Sequence, residues 1–88
     1  MKIYYSSKFA REYRELPLRI KKIAEKKEQI FRENSFNPRL KTHKLKGNLK
    51  GFLSFSINKN YRIIFELVNS KTVWFYSVGN HSIYKLWD

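Results

Sequence analysis

The residues of this 88-residue chain that are best suited to catalysis are two histidines, an arginine and a tyrosine. His43 lies in the basic stretch THKLKGNLKGF, and His81 lies in the closing stretch HSIYKLWD. Imidazoles titrate near neutral pH, so two that converge can supply a general base and a general acid, although each could equally be a surface or capping residue. Arg62 can hold an anion through two parallel hydrogen bonds, and Tyr84 can stack on an aromatic group or donate a proton. These residue types predict a site where a polyanion is held and worked on.

The charge of the chain is strongly positive and unevenly distributed. Lys and Arg total 19 against 7 Asp and Glu, which gives a formal net charge of +12. Residues 34–65 contain no acidic side chain at all. Such a field favours a nucleic acid, a ribosome, an acidic protein or an anionic membrane as partner, whereas any single lysine could simply be solvated. The lysines that we expect to contact a polyanion are Lys41, Lys44, Lys46, Lys50 and Lys59.

The composition argues against several other kinds of site. The chain has no cysteine, which excludes a disulfide framework and a thiolate zinc site. Beyond residue 33 the acids are Glu66 and Asp88, too few for a magnesium or two-metal site, so we expect no metal and no other cofactor. The N-terminal sequence lacks the apolar core of a signal peptide, and no run approaches the roughly 20 apolar residues of a membrane span. We therefore expect a cytoplasmic protein without membrane contact.

Hydrophobic periodicity predicts two helices and four strands. The predicted elements are a strand at 2–6, helices at 7–16 and 18–34, and strands at 51–57, 61–68 and 72–79. Ser7 is the expected N-cap of the first helix, and Pro17 separates the helices, which favours a helical hairpin. The short polar links between the last three strands are typical of β-hairpins. The predicted fold is a single α+β domain over residues 1–88, with the N-terminal strand and helical hairpin packed on an antiparallel β-meander.

The length of the NKN link (58–60) determines which side chains of its hairpin share a face. If all three residues form the loop, six apolar side chains pair on the core face, and Arg62 pairs with Ser56 on the other, open face. The six are Leu53, Phe55, Ile57, Tyr61, Ile63 and Phe65. A two-residue loop would bury Arg62 or Ser56 against the helices, and an unpaired buried arginine is costly. We therefore predict the three-residue loop.

The sequence leaves two placements on this sheet open. Trp74 and Tyr76 either share the open face with Arg62 or pack in the core, which is the commoner role of such rings. Arg62 either holds a substrate anion or is a surface arginine that pairs with Glu66 on the same face.

Three motifs resemble the C-terminal half of the RelE/ParE superfamily of bacterial type II toxins, and RelE/YafQ-like mRNA interferases are the most similar branch. They are H-x-L-x-G at 43–47, Y-R-I-I-F at 61–65 and G-x-H-x-x-Y at 79–84, and F-x-x-x-Y-x-x-L-P at 9–17 also fits. The resemblance implies a small RelE-like α+β toxin of microbial-ribonuclease-like shape, held inactive by an antitoxin encoded beside it. It also implies cleavage of mRNA in the ribosomal A site by metal-independent attack of a ribose 2′-OH on the adjacent phosphate.

The resemblance further implies roles for individual residues. Arg62 matches the strand arginine that contacts the scissile phosphate, and His81 falls where relatives carry histidine or arginine. Tyr84 resembles the C-terminal aromatic residue that stacks on or orients a base. His43 matches the histidine of the H-x-L-x-G element in YafQ-like toxins. One histidine could then be the base for the 2′-OH and the other the acid for the leaving 5′-oxygen, while the basic-stretch lysines hold flanking phosphates or ribosomal RNA.

The chain departs from the family pattern at four positions. YafQ-like toxins have a second histidine where this chain has Ser56, and an aspartate where it has Asn60. RelE-like toxins carry lysines on the first hairpin strand, where this chain has Leu53 and Phe55. The chain therefore has fewer candidate catalytic residues than either subgroup, and the sequence leaves open whether it still cleaves RNA.

The predicted function is that of a type II toxin that cleaves mRNA on the ribosome and inhibits translation. Its predicted partners are an acidic cognate antitoxin, mRNA and the ribosome. The alternatives are a ParE-like toxin that poisons DNA gyrase by binding, and a catalytically inactive module that binds RNA or protein. The two histidines together with Arg62 and the basic stretch favour the ribonuclease.

Overall fold

The protein is a five-stranded sheet with two helices on one face, as seen in a computed structural model that describes residues 1–87, with side chains to Tyr84. The helices and strands are β1 (Lys2–Tyr5), α1 (Ser7–Arg14), α2 (Leu18–Glu33), β2 (His43–Lys44), β3 (Leu53–Ser56), β4 (Tyr61–Asn69) and β5 (Thr72–Asn80). Short 3₁₀ helices span Pro38–Leu40, Gly47–Leu49 and His81–Trp87. This confirms the predicted α+β class.

The strand order in the sheet is β1-β5-β4-β3-β2. The chain from β3 to β5 forms the predicted antiparallel meander. β1 lies beside β5 and runs parallel to it, and β2 pairs antiparallel with β3. The sequence analysis missed β2, because two residues carry no strand period. Among residues 1–87, no helix is both long enough and apolar enough to cross a membrane.

The first helix begins at Ser7 as predicted, but its N-cap is Ser6 rather than Ser7. The Ser6 hydroxyl accepts a hydrogen bond from the Phe9 amide at 2.9 Å and donates to the Tyr76 carbonyl at 2.8 Å. The same side chain therefore caps α1 and ties it to β5. The prediction of Ser7 was wrong because two adjacent serines offer the same cap, and only contact with the sheet distinguishes them.

The core lies between the helices and the sheet and is built around Phe31 of α2. The Phe31 ring is fully buried, and its centroid is 5.0, 4.9 and 5.3 Å from those of Phe55, Phe65 and Phe75. Edge-to-face and offset pairs of this kind stabilise a core beyond the area that they bury. These three sheet residues come from three adjacent strands, so one helical side chain holds β3, β4 and β5 together.

The hairpin between β3 and β4 has the register predicted from a three-residue NKN loop. Leu53, Phe55 and Ser56 pair with Phe65, Ile63 and Arg62. The Asn58 carboxamide oxygen closes the loop by accepting from the amides of Asn60 and Tyr61, each at 2.9 Å. The apolar side chains of the hairpin therefore join the core under the helices, and Arg62 projects from the opposite face.

The face opposite the helices is less open than predicted. Ser54 and Ile64, which point away from the helices, are fully buried, and Ser56 is nearly so. The Tyr84 hydroxyl contacts the Ser54 hydroxyl, so the C-terminal 3₁₀ helix lies over this part of the sheet. Hairpin alternation shows which side chains share a face, but it does not show which later segment folds back onto that face.

Trp74 and Tyr76 lie on this second face and not in the core. They alternate with the core residues Val73 and Phe75 along β5. The Trp74 ring stacks on Tyr4 of β1 with centroids 5.2 Å apart, and the Tyr76 hydroxyl donates to Glu66 at 3.1 Å. The expectation of core packing was wrong because a second layer of aromatic rings covers this side of the sheet.

The hydrogen bond between Tyr5 and Glu28 makes a pH-dependent contribution to stability. The Tyr5 hydroxyl donates to the Glu28 carboxylate at 3.0 Å, and burial, followed by the charge of Glu28, raises the pKa of Tyr5 above its usual value. The folded state then holds the phenolic proton more tightly than the unfolded state, so the hydroxyl stabilises the fold below about pH 10 and loses this effect as the pH rises further. We expect Tyr5→Phe to destabilise the protein at about pH 8 and much less at about pH 11, in urea unfolding. Tyr4→Phe is the matched control, and a Tyr5→Phe effect that is equal or larger at the higher pH would contradict this assignment.

Candidate active site

A cleft of about 430 Å³ on the second face brings the four candidate catalytic residues together. The residues that line it are His43, Leu45, Lys46, Leu49, Arg62, His81 and Tyr84. They come from β2, the segment after it, β4 and the C-terminal 3₁₀ helix, so residues almost forty positions apart in the sequence share one wall. Within residues 1–84, no acidic side chain lines the cleft, which makes it suited to an anion.

Backbone geometry orients the His43 ring. Lys41 adopts a left-handed conformation with φ of 52° after the 3₁₀ turn at Pro38–Leu40, and its carbonyl lies 3.1 Å from His43 Nδ1. A carbonyl can only accept a hydrogen bond, so Nδ1 carries the proton. In the neutral ring this leaves Nε2 with an unshared electron pair. β2 pairs His43 with Ser54, which fixes the ring at the edge of the cleft.

Arg62 occupies the part of the sheet where its neighbours are smallest. It pairs with Ser56 on one side and Gly79 on the other, so both of its cross-strand neighbours are small. Arg62 is half-buried, and within residues 1–84 no side chain forms an ion pair or hydrogen bond with it. Glu66 instead accepts from Tyr76. The donors of Arg62 therefore stay available for an external anion.

The C-terminal 3₁₀ helix positions His81 and Tyr84. The Asn80 carboxamide oxygen accepts from the backbone amide of Ser82 at 2.9 Å and also from its hydroxyl, which starts the helix. His81 Nε2 lies 3.4 Å from the Lys59 carbonyl, so this nitrogen donates and Nδ1 is the one with the free electron pair in the neutral ring. The rings of His81 and Tyr84 are neighbours, with centroids 6.2 Å apart.

Ser54 is a functional candidate that the sequence analysis missed. Its hydroxyl is fully buried and lies 2.8 Å from that of Tyr84, so it holds the phenol over the sheet. The signal in the sequence was a small polar residue on the hairpin face that also carries Arg62. That signal could be interpreted only once the partner of Ser54, thirty residues further on, was known.

The predicted polyanion-binding lysines divide into one that lines the cleft and four that do not. Lys46 lines the cleft, and the others are exposed at the surface. These four are Lys41, Lys44, Lys50 and Lys59. Gly47 and Gly51, with φ of 66° and 97°, turn the basic stretch as it returns to β3. The basic stretch therefore brings Lys46 to the cleft.

The four positions that depart from the family pattern have different environments. Leu53 and Phe55 belong to the core and do not reach the cleft. Ser56 is buried, and its hydroxyl donates to the Asn58 carbonyl at 2.6 Å. Asn60 is exposed and lines a neighbouring pocket that also contacts His81.

The donor set of the cleft suits proton transfer on an anion better than metal binding. Over residues 1–87, no group of three or more His, Cys, Asp or Glu side chains is placed to hold a metal ion. The cleft does offer two imidazoles with opposite ring nitrogens free, a guanidinium and a phenol. This set can bind an anion while one ring removes a proton and the other supplies one.

Ser54→Ala is expected to reduce the free energy of unfolding by about 1 to 3 kcal/mol, because it leaves the Tyr84 hydroxyl without its partner. If the two hydroxyls act as a pair, Tyr84→Phe should cost about 1 kcal/mol less in the Ser54→Ala background than in the wild type. Urea unfolding of the four proteins measures this coupling. Ser56→Ala provides the control, since its hydroxyl bonds to the Asn58 carbonyl and should not couple to Tyr84. Additive effects of Ser54→Ala and Tyr84→Phe would show that the contact does not hold the phenol.

A family model described as the bacterial toxin YafQ of type II toxin-antitoxin systems matches residues 1–85. Comparison with curated protein sequences gave no significant match.

Solved toxin structures share the fold over nearly the whole chain. YafQ from Escherichia coli strain BL21(DE3) matches with a TM-score of 0.79 at 20% identity, over 94% of this chain and 96% of that one. A YoeB/ParE toxin from Agrobacterium tumefaciens matches with a TM-score of 0.78 at 18% identity, over 92% and 99%. The E. coli DinJ-YafQ toxin-antitoxin complex matches with a TM-score of 0.75 at 21% identity, over 93% of both chains. At these identities the structural likeness establishes the fold alone, whereas the family model covers the chain from residue 1 to residue 85.

Proposed function

The chain belongs to the YafQ family of bacterial type II toxins, and we propose that it is a ribosome-dependent endoribonuclease that cleaves mRNA and thereby inhibits translation. The observation that supports this proposal most strongly is the convergence of His43, Arg62, His81 and Tyr84 in one cleft, which no acidic side chain of residues 1–84 lines. A toxin that acts only by binding has no need for two oriented imidazoles beside a free guanidinium.

The proposed reaction is attack of a ribose 2′-oxygen on the adjacent phosphorus. Arg62 binds two non-bridging oxygens of the phosphate and stabilises the charge that develops on them. The bond from the 2′-oxygen to phosphorus forms as the bond from phosphorus to the 5′-oxygen breaks. The products are a 2′,3′-cyclic phosphate and a free 5′-hydroxyl, and no external oxidant, reductant or metal is required.

We assign His43 as the base and His81 as the acid. The 3.1 Å hydrogen bond to the Lys41 carbonyl holds His43 with Nε2 free to take the 2′-proton. His81 donates through Nε2 to the Lys59 carbonyl, so in its protonated form Nδ1 delivers the proton to the leaving 5′-oxygen. Tyr84, held by Ser54, stacks on or orients a base next to the phosphate.

The partners of the proposed toxin are the ribosome, mRNA and an acidic antitoxin, with the cytoplasm as the place of action. A shallow cleft with exposed lysines around it fits an RNA that is already held by the ribosome, because it lacks a deep groove of its own. DinJ in the DinJ-YafQ complex and YefM in the YoeB-YefM complex of Staphylococcus aureus are named with similar toxins. By analogy, an acidic antitoxin would neutralise the +12 charge and cover the cleft.

Arg62→Ala and His81→Ala should each relieve growth arrest without loss of antitoxin binding. Loss of the phosphate clamp or of the acid is expected to slow cleavage about 100- to 10,000-fold. Primer extension on cellular mRNA after induction measures cleavage, and the wild type should give discrete breaks that depend on translation. Gln29→Ala, an exposed residue of α2, is the control. Full toxicity of both cleft variants would overturn the catalytic assignment, and intact mRNA together with broken DNA would indicate a gyrase poison instead.

A sulfur leaving group tests which histidine is the base and which is the acid. In an mRNA whose 5′-bridging oxygen at the cleavage site is replaced by sulfur, the leaving group needs no proton. His81→Ala should then recover most of its lost rate on programmed ribosomes, and His43→Ala should not. Recovery of His43→Ala alone would exchange the two roles.

Charge reversal at Lys44, Lys46 and Lys50 should weaken ribosome binding and reduce its salt dependence. Each lost phosphate contact is expected to lower the slope of log affinity against log salt by about 0.7 to 0.9. Pelleting with ribosomes across a salt series measures the slope for the triple Lys→Glu variant. The matched control reverses Arg19, Lys22 and Lys26, exposed residues of α2. An equal effect of both triple variants would show that only net charge matters, and an unchanged profile for the first would exclude the basic stretch as a ribosome contact.

A further inference from the structure

A second pocket shares His81 with the cleft. Its volume is about 400 Å³, and it is open to solvent. The residues that line it are Asn60, Tyr61, Asn80, His81 and Ser82. His81 is common to the two sites, so whatever occupies the cleft beside His81 has this pocket as its neighbour.

The walls of this pocket offer neutral hydrogen-bonding groups and ring faces. Apart from the imidazole of His81, the described side chains that line it are two carboxamides, a hydroxyl and a phenol. His81 supplies a ring, and two carboxamides and a serine hydroxyl supply donors and acceptors. Tyr61, which packs against the core, borders the pocket. A neutral, flat ligand with polar edges suits this set, whereas a phosphate is better served by Arg62 and Lys46 in the cleft.

Hydrogen bonds already made in the structure fix the polarity of one of these carboxamides. The Asn80 oxygen accepts from both the amide and the hydroxyl of Ser82, which assigns the NH₂ group of Asn80 as the part left to donate. Asn60 uses its backbone amide in the loop hydrogen bond to Asn58, and its carboxamide makes no hydrogen bond within residues 1–84. The pocket thus presents a fixed donor from Asn80 beside the uncommitted amide of Asn60.

We propose that this pocket binds and reads the base of the nucleotide immediately downstream of the scissile phosphate. This inference rests on the proposed ribonuclease function, in which His81 protonates the 5′-oxygen of that nucleotide. The ribose that carries this oxygen lies against His81, and its base extends past the imidazole into the pocket. Single-stranded bases are recognised in this way, by rings that stack on them and by amides that bond to their edges.

The proposal makes Asn80 and Asn60 determinants of specificity and not catalytic residues. A base that presents an acceptor to the Asn80 NH₂ group completes its hydrogen bonds. A base that presents an amino group there leaves two donors facing each other, which penalises binding in the transition state. We expect a well-formed edge contact to discriminate among bases by about tenfold or more.

Asn80→Asp is the decisive variant, because it separates recognition from helix capping. The carboxylate keeps the oxygen that accepts from Ser82 and replaces the NH₂ donor with an acceptor. A residue that only caps the helix would tolerate this change with no effect on base preference. Asn48→Asp adds the same charge at an exposed site in the Gly47–Leu49 turn and controls for repulsion of RNA. Asn60→Ala removes the second amide.

The experiment uses programmed ribosomes and four mRNAs that differ only in the base downstream of the cleavage site. The wild type and Asn48→Asp should cleave the four mRNAs in the same order of rate, with about a tenfold difference between the fastest and the slowest mRNA. Asn80→Asp should cleave fastest the mRNAs whose downstream base presents an amino group. Asn60→Ala should reduce the difference between the fastest and the slowest of the four cleavage rates. Equal wild-type rates on all four mRNAs, or an unchanged order in Asn80→Asp, would overturn the inference, as would dependence on the upstream base alone.

A binding measurement separates failure of this inference from failure of the proposed function. The probe is a 2′-deoxy trinucleotide, which binds without being cleaved, titrated into ¹⁵N-labelled wild-type protein. Perturbation of the Asn60 and Asn80 side-chain amide signals, with Gln29 as an internal reference, supports the pocket even if the wild type cleaves no mRNA. Perturbation confined to the Arg62 cleft would refute the base pocket and leave the ribonuclease proposal intact.

Discussion

The arrangement of the whole molecule depends on the three-residue turn at Asn58–Asn60. Side chains alternate between the faces of a strand, so a shift of one residue would exchange every residue of the hairpin between core and cleft. The Asn58 carboxamide fixes the register by capping two amides of the loop. This register buries Phe55 and Phe65 against Phe31, and it also leaves Arg62 beside Ser56 and Gly79. Core packing and the position of Arg62 are therefore set by the same turn.

The second constraint on the fold is electrostatic. Ion pairs within residues 1–84 join Lys8 to Glu12 and Glu28 to Arg32, all on the helices. The basic stretch has no acidic residue of its own and is held by backbone and side-chain hydrogen bonds, such as that from Thr42 to the Ser35 carbonyl at 2.6 Å. An external anion would relieve its mutual repulsion, so in the proposed function RNA and an acidic antitoxin compete for the same surface.

Much of the fold could be predicted from the sequence because strong local patterns determine it. The apolar stripe of α2, the alternation in β3 and β4 and the length of their loop sufficed for the helices, the meander and the side of the sheet on which Arg62 stands. The parallel pairing of β1 with β5, the short β2 and the second aromatic layer around Trp74 depend on contacts between distant segments. Periodicity carries no information about such contacts.

The candidate site likewise combines features that local sequence shows with features that depend on tertiary contacts. The types of the four candidate catalytic residues were apparent from the sequence and from the family motifs, but their convergence was not. Within the cleft, Tyr84 is anchored on the buried Ser54, and the Lys41 carbonyl holds the His43 ring. These contacts link residues that have no common motif, so they could be found only in the folded chain.

The most direct test of the proposed mechanism is whether cleavage requires the ribose 2′-hydroxyl next to the scissile phosphate. Purified protein should cut an mRNA in the A site of a programmed ribosome and leave a 2′,3′-cyclic phosphate and a 5′-hydroxyl. The same mRNA with a single 2′-deoxy nucleotide upstream of the scissile bond should stay intact at that bond while the ribosome still binds the toxin. Equal cleavage of the two mRNAs, or a 5′-phosphate on the downstream product, would contradict cleavage by 2′-oxygen attack in this cleft.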